Sequence, residues 1–188
     1  EAARAGEGRG FFRALAQRIQ REGISVVRCL RGSFILAVRD GETLHLARDG
    51  AGNRTAYYAK HGRRWLFGIE PKSITSAPGF SKRIRPAALA QYLACSFVPG
   101  SGTMLEGLFE LKAGHTVTFR PGAEPKTSRW FCFEEDEYIP EDRRDGSTEN
   151  DESFVLQFRQ KLERAVAARL PRGEPVGVFL SGGLDSSV

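Results

Sequence analysis

The sequence of 188 residues is poor in cysteine and methionine and has no long apolar run. No stretch approaches the roughly 18 consecutive apolar residues of a membrane-spanning helix. The N-terminus also lacks the charged and then apolar layout of a signal peptide. We therefore predict a cytoplasmic protein without a membrane partner.

The three cysteines are Cys29, Cys95 and Cys132. They lie far apart in the sequence and share no metal-ligand spacing with the three histidines. This pattern argues against a disulfide framework and against a zinc site. We expect three reduced, buried, intracellular thiols.

The residues that are abundant suit a globular protein. Hydrophobic residues make up 40% of the chain and include 13 phenylalanines, which is enough for a packed core. The net charge of +5 comes largely from scattered arginines without an aromatic and basic recognition motif, so we predict a solvated surface and no nucleic-acid partner. Because residue 1 is Glu1 and the last residues open a new motif, we expect an internal piece of a longer protein.

Hydrophobic periodicity predicts an α+β unit over residues 1–132. Apolar residues at helical spacing indicate a helix over Phe11–Glu22, and residues 71–77 and 86–94 each begin with a proline suited to the first helical turn. Two hairpins predict an antiparallel sheet of at least four strands. The strands expected in this unit are Ser33–Arg39, Thr43–Arg48, Tyr57–Ala59, Arg64–Ile69 and Thr116–Arg120.

Residues 133–150 are rich in acids and have the composition of a linker. After them, apolar side chains at i+4 spacing predict a helix over Asp151–Leu170. The apolar run Val176–Leu180 then predicts a buried parallel strand, so residues 151–188 are expected to open a second, α/β domain.

One seven-residue motif stands out in the sequence: Ser181-Gly182-Gly183-Leu184-Asp185-Ser186-Ser187. A chance occurrence of this pattern has a probability of roughly 10⁻⁵, so it is the main evidence for function. Glycines let a backbone approach phosphate closely, and serine hydroxyls add donors. The lysine of a Walker loop is missing, which argues against a motor-like nucleotidase. Asp185 is expected to cap the following helix or to hold Mg²⁺.

This segment resembles the PP-loop of the asparagine synthetase family, whose ATP-binding domain cleaves ATP to AMP and pyrophosphate. Further stretches occur in the order found in that family's glutaminase domain. They are Leu30–Phe34, Ala47–Asp49, Tyr57-Tyr58, Tyr92-Leu93, Phe97–Gly100 and Ala113–His115.

The resemblance implies an incomplete N-terminal-nucleophile-hydrolase-like domain of α+β class, followed by the start of an α/β PP-loop domain. It implies an ATP-dependent, amide-forming ligase that adenylates a carboxylate, which ammonia from glutamine then attacks. ATP and Mg²⁺ are the implied cofactors, small molecules are the implied partners, and a homodimer stays open. The residues implied to contact pyrophosphate, its Mg²⁺ or the nucleotide are Leu180, Ser181, Gly182, Gly183, Asp185, Ser186 and Ser187.

The chain departs from the family in ways that keep two alternatives open. The family's nucleophile is an N-terminal cysteine, whereas here the three cysteines are internal, so no catalytic residue is assigned and this piece alone is expected to be inactive. Gly50–Ala56 and Ile69–Lys72 also differ from the usual pattern. One alternative is therefore a β-lactam synthetase or lasso-peptide cyclase, acting on a peptide in the latter case, with a degenerate glutaminase domain. The other is a catalytically silent scaffolding module.

The remaining polar residues are given structural roles. His45, His61 and His115 have no nucleophile or ligand partner at useful spacing, so we predict that they are structural. Asp49 follows a strand and is predicted to fix its loop by accepting backbone hydrogen bonds. Glu70 and Lys72 are left open between a domain-interface contact and plain surface.

Overall fold

The computed structural model describes residues 8–132, 148–171 and 173–187. The chain divides into two compact units, Glu1–Phe133 and Glu134–Val188, and each is described by itself. No helix within the described residues is long and apolar enough to cross a membrane.

The first unit is of α+β class and confirms the type of every element predicted in it. Its helices are α1 (Gly8–Glu22), a 3-10 helix (Ile24–Cys29), α2 (Pro71–Thr75) and α3 (Pro86–Cys95). Its strands are β1 (Ile35–Asp40), β2 (Thr43–Arg48), β3 (Tyr57–His61), β4 (Arg64–Gly68), β5 (Leu108–Glu110), β6 (His115–Phe119) and β7 (Lys126–Arg129).

The seven strands form two antiparallel sheets, in the orders β1-β2-β6-β7 and β4-β3-β5. The prediction that the two hairpins share one sheet is therefore wrong. Each hairpin instead pairs with a strand from later in the chain: Leu46 of β2 faces Val117 of β6, and Tyr58 of β3 faces Phe109 of β5. These partners satisfy backbone groups that the hairpins alone leave unpaired.

Both hairpins turn through a glycine with positive φ. Gly41 has φ +57° and lies between the paired residues Asp40 and Thr43, and Gly62 has φ +59° and lies between the paired residues His61 and Arg64. A two-residue turn with positive φ at its first residue matches the twist of the strands that it joins, and glycine adopts that conformation without strain.

The side chains of the first unit pack in four layers. One face of the four-stranded sheet, with Val38, packs against Leu15 and Ile19 of α1. Its other face, with Phe119, meets Tyr58 of the three-stranded sheet at a ring-centroid distance of 5.6 Å. Beyond that sheet, α2 buries Ile74 against Ala59 and Leu108. Each large apolar side chain buried in this way contributes about 1.5–3 kcal/mol to the free energy of unfolding, so packing between the layers stabilises both the sheets and the helices.

The second unit contains α4 (Thr148–Ala167) and α5 (Leu184–Ser187). The helix predicted over residues 151–170 is confirmed in type, and α4 includes the last three residues of the predicted linker; the remainder of that linker lies outside the described residues. The strand predicted at Val176–Leu180 is wrong, because this segment pairs with no strand within the described residues. Its side chains are exposed rather than buried, completely so at Phe179.

The cysteine prediction is half wrong. Cys29, Cys95 and Cys132 are free thiols, but all three are exposed. Cys29 and Cys95 are the last residues of the 3-10 helix and α3, and Cys132 follows Phe131 beyond the last strand. These cysteines are exposed because they lie at or beyond the ends of helices and strands, and composition alone does not reveal those positions.

Candidate functional site

The serine-glycine loop brings two hydroxyl groups together. The Oγ atoms of Ser181 and Ser186 lie 2.8 Å apart. The backbone N–H of Ser181 donates to Ser186 Oγ at 3.2 Å, and Ser186 Oγ donates to the carbonyl of Gly183 at 3.1 Å. Two residues five positions apart thus close the loop on itself.

The glycines of this loop leave its backbone open. Gly182 has φ +76°, a conformation that L side chains rarely adopt, and a β-carbon added there would meet no atom within 4 Å. At Gly183, an added β-carbon would lie 3.5 Å from Ser181 Oγ. The loop from Ser181 to Leu184 is exposed, so an anion could approach the backbone and the paired hydroxyls from solvent.

For two of the other residues predicted in this loop, the structure describes the backbone only. Leu180 is largely exposed before the loop, and Asp185 and Ser187 lie on α5, although their side chains are outside the described part of the structure. Within the described residues no group of three or more histidine, cysteine or acidic side chains is arranged to hold a metal ion. The paired hydroxyls and the open backbone at Gly182 are suited to hydrogen bonding with an oxyanion.

A second polar centre lies at the end of β2, where Asp49 is buried. Its Oδ1 accepts hydrogen bonds from the backbone N–H of Gly52 at 2.8 Å and of Asn53 at 3.3 Å, and its Oδ2 accepts from Phe34 N–H at 3.3 Å. The prediction that Asp49 fixes its loop is confirmed. The same loop is joined to the segment before β1 by Asn53 Nδ2, which donates to Ser33 Oγ at 2.7 Å.

Arg48 is a buried cation that the sequence did not reveal. Its guanidinium donates to Glu110 Oε1 at 2.7 Å and to the carbonyls of Leu111 at 2.6 Å and Gly52 at 2.9 Å. Trp130 Nε1 donates to the backbone carbonyl of Arg48 at 3.2 Å. The partners at Glu110 and Leu111 lie more than sixty residues along the chain, so no local pattern could have indicated this clamp.

The remaining polar residues singled out from the sequence all belong to the first unit. His45 is half-buried in β2, with Nδ1 2.9 Å from Thr118 Oγ1, and burial lowers its pKa below the usual range. His115 Nδ1 is 2.7 Å from the carbonyl of Ala113, and the ring of His61 lies 6.0 Å from that of Phe80. The side chains of Glu70 and Lys72 are exposed at the start of α2.

The two-sheet unit and the serine-glycine loop correspond to two neighbouring domains of known proteins. The chain belongs to the glutamine amidotransferase domain family, which matches residues 13–131. A second match, to the asparagine synthase family, covers residues 157–188 and includes the serine-glycine loop. The resemblance to asparagine synthetases that the sequence motifs indicated is confirmed.

Curated relatives of the chain come from bacteria, archaea and fungi. Asparagine synthetase [glutamine-hydrolyzing] 3 of Bacillus subtilis is 32% identical over 84% of this chain and 25% of its own length. Amidase chry2 of Gibberella zeae is 30% identical over 88% of this chain and 24% of its own length. Putative asparagine synthetase [glutamine-hydrolyzing] 2 of Methanocaldococcus jannaschii is 26% identical over 88% of this chain and 31% of its own length. The chain therefore spans about a quarter to a third of these relatives.

Proposed function

We propose that this chain contributes a glutamine amidotransferase-type domain and the pyrophosphate-holding loop to an ATP-dependent, amide-forming ligase of the asparagine synthetase type. The observation that carries the proposal is the paired hydroxyls of Ser181 and Ser186 beside the open backbone of Gly182. It is supported by the asparagine synthase match over the same residues. In such a ligase, ATP would supply the activation that turns a carboxylate into a good acyl donor.

The loop's own residues would bind and orient the departing pyrophosphate. Ser181 and Ser186 would donate hydroxyl hydrogen bonds, and Gly182 and Gly183 would allow the anion to reach the backbone. The hydroxyls already lie in contact, so little ordering would be needed when the anion binds. Asp185 would hold Mg²⁺, which would neutralise negative charge on the pyrophosphate, and Ser187 and Leu180 would complete the contacts on either side.

The source of the attacking nitrogen separates the first proposal from its nearest rival. In an asparagine synthetase-type enzyme the acceptor would be ammonia released from glutamine. In a β-lactam synthetase or lasso-peptide cyclase, the acceptor would be an amine of the substrate itself. The amidase name of the Gibberella zeae relative supports testing acyl substrates beyond aspartate.

The experiment is exchange of labelled pyrophosphate into ATP, carried out with the longest natural form of the protein and a panel of carboxylates that begins with aspartate. We expect carboxylate-dependent exchange that falls by about tenfold or more in Ser181→Ala and in Ser186→Ala, because each loses a donor to a developing anion. Ser128→Ala, an exposed serine on β7, is the matched control and should exchange at the wild-type rate.

The exchange assay and its product distinguish the synthetase, the cyclase and the scaffolding role. Exchange followed by an amide product that incorporates nitrogen from glutamine supports the synthetase, whereas a cyclised product formed without glutamine supports the cyclase. Absence of exchange with every carboxylate would contradict both and support a scaffolding role. Exchange that is undiminished in both loop variants would remove the loop from the mechanism.

A further inference from the structure

A groove of about 350 Å³ opens in the first unit beside the end of the β3–β4 hairpin. Its walls come from the end of β3 and Gly62, from residues 79–81 and Arg83 after α2, and from residues 106–107 before β5. This volume lies within the range of small-molecule sites, roughly 300–1,000 Å³. The side chains that line this hairpin groove are Lys60, His61, Phe80, Ser81, Arg83 and Glu106.

The walls of the hairpin groove are held by backbone hydrogen bonds rather than by flexible side chains. Glu106 N–H donates to the carbonyl of Arg83 at 2.9 Å, and Phe80 N–H donates to the carbonyl of Ala77 at 3.0 Å. Phe80 also packs against the buried cluster that contains Ile74 and Leu108. A groove built in this way exists before any ligand arrives, so binding costs little ordering.

Arg83 lines this groove and forms an ion pair through only one of its guanidinium nitrogens among the described residues. Its Nε lies 3.4 Å from Glu106 Oε2, and its side chain is 78% exposed. Its terminal nitrogens make no hydrogen bond within the described part of the chain. An arginine that pairs with a carboxylate through Nε can still form two parallel hydrogen bonds to a phosphoryl group through its terminal nitrogens, which a lysine could not supply.

The surroundings of Arg83 favour an anion with an apolar or planar body. Ser81 adds a hydroxyl, and the rings of His61 and Phe80 lie 6.0 Å apart on one wall. The groove and its immediate surroundings carry more cations than carboxylates. Glu106 pairs with Arg83 and Glu124 pairs with Lys60, whereas the further cations in or next to the lining segments are Arg63, Arg64 and Lys82. Such an excess of exposed cations attracts small anions from solution.

We infer that the hairpin groove binds a small organic phosphate, with the phosphoryl group on Arg83 and Ser81 and the organic body against Phe80 and His61. The groove is lined by other residues than those of the serine-glycine loop, and the inference does not depend on the proposed ligase activity. It rests on the groove, its backbone hydrogen bonds and the terminal nitrogens of Arg83, which make no hydrogen bond to another described residue.

The test is isothermal titration calorimetry of the 188-residue protein with AMP, ribose 5-phosphate and adenosine. We expect saturable, single-site binding of AMP, weaker binding of ribose 5-phosphate, and loss of most of the affinity in adenosine, which lacks the phosphate. Arg83→Ala should weaken AMP binding by about tenfold or more, and Arg83→Lys should recover part of it. The backbone bond from Glu106 to the Arg83 carbonyl remains in both variants, so the walls are kept.

Two controls make the result specific. Arg28→Ala removes another exposed arginine, at the 3-10 helix, and should change AMP affinity by less than about twofold. Ser181→Ala is a diagnostic variant, because it weakens only the AMP that binds at the serine-glycine loop. The inference is overturned if AMP shows no saturable binding at millimolar concentration, if adenosine binds as tightly as AMP, or if Arg28→Ala weakens binding as much as Arg83→Ala. Loss of binding in Ser181→Ala but not in Arg83→Ala would place AMP on the serine-glycine loop and would also overturn it.

Discussion

The guanidinium of Arg48 donates a hydrogen bond to the carboxylate of Glu110 across 2.7 Å, and the pair joins the last residue of β2 to the last residue of β5. β2 belongs to the four-stranded sheet and β5 to the three-stranded sheet, so this ion pair connects the two sheets. The Arg48 side chain is 8% exposed and that of Glu110 31%. A largely buried pair with further carbonyl acceptors is costly to break from one side.

We expect Arg48→Met to lower the free energy of unfolding by about 3 kcal/mol, because it leaves Glu110 and the carbonyls of Leu111 and Gly52 without their donor. Denaturant unfolding followed by tryptophan fluorescence measures this. Arg39→Met is the matched control, since Arg39 is an exposed strand arginine whose one side-chain hydrogen bond to another described residue goes to the carbonyl of Gly41. An equal loss in both variants would contradict a special role for Arg48.

Replacement of Asp49 tests how its loop is held. Asp49→Asn leaves one acceptor oxygen where the carboxylate accepts three backbone N–H groups, so we expect a loss of about 1–3 kcal/mol in the free energy of unfolding. Amide hydrogen exchange should quicken at Gly52 or Asn53. Asp40→Asn, at the exposed end of β1, should leave both measurements near wild type, and unchanged exchange in Asp49→Asn would refute the prediction.

Alanine variants of two glycines with similar φ distinguish the cost of backbone strain from the cost of steric crowding. Gly114 has φ +65° and an added β-carbon would lie 2.5 Å from the carbonyl oxygen of Phe131, whereas Gly122 has φ +70° and nothing within 4 Å. We expect Gly122→Ala to cost about 1 kcal/mol from conformation alone. Gly114→Ala should cost about 2 kcal/mol more, because the chain at Phe131 must shift. Equal thermal or denaturant midpoints in the two variants would count against the close packing at Gly114.

His45 makes the stability of the first unit depend on pH. Burial lowers the pKa of the folded-state imidazole, so the unfolded chain binds the proton more readily. The contribution is therefore fully present above the unfolded pKa of about 6.5 and is lost as pH falls through the lower folded pKa. We expect the denaturant midpoint to fall between pH 6.5 and 5 and this slope to shrink in His45→Gln. His61→Gln retains His45 and should keep the slope; if it flattens the curve as much, His45 is not the cause.

The parts of the fold that follow from local pattern could be predicted from the sequence. α1 and α4 carry apolar side chains at helical spacing, and the hairpins at Gly41 and Gly62 have turn residues of the right type. β7 was missed because its four residues are all exposed and show no alternation. β5 was missed because three residues are too few for a pattern, and the placement of the hairpins in separate sheets depends on partners far along the chain.

The candidate site divides in the same way. The loop could be singled out from the sequence because Ser181, Gly182, Gly183 and Ser186 lie within one short segment, and its role in binding phosphate stays a prediction. The role of Asp49 followed from an acid placed directly after a strand. Arg48 and Arg83 could not be recognised, since what distinguishes each from the other arginines is a glutamate brought near by the fold, Glu110 in one case and Glu106 in the other.

The pairing of β2 with β6 also determines when the first unit can form. His45 and Thr118 are 73 residues apart, and Trp130 reaches back 82 residues to Arg48. During synthesis, the β1–β2 hairpin is made well before β6, so the edge of β2 and the apolar side chain of Leu46 stay without their partner strand until β6 is made. Long waiting of this kind slows folding and leaves a bare strand edge available to other chains. The first unit is thus most vulnerable to aggregation before residue 119 has emerged, and a chaperone that shields the β2 edge would help it most at that stage.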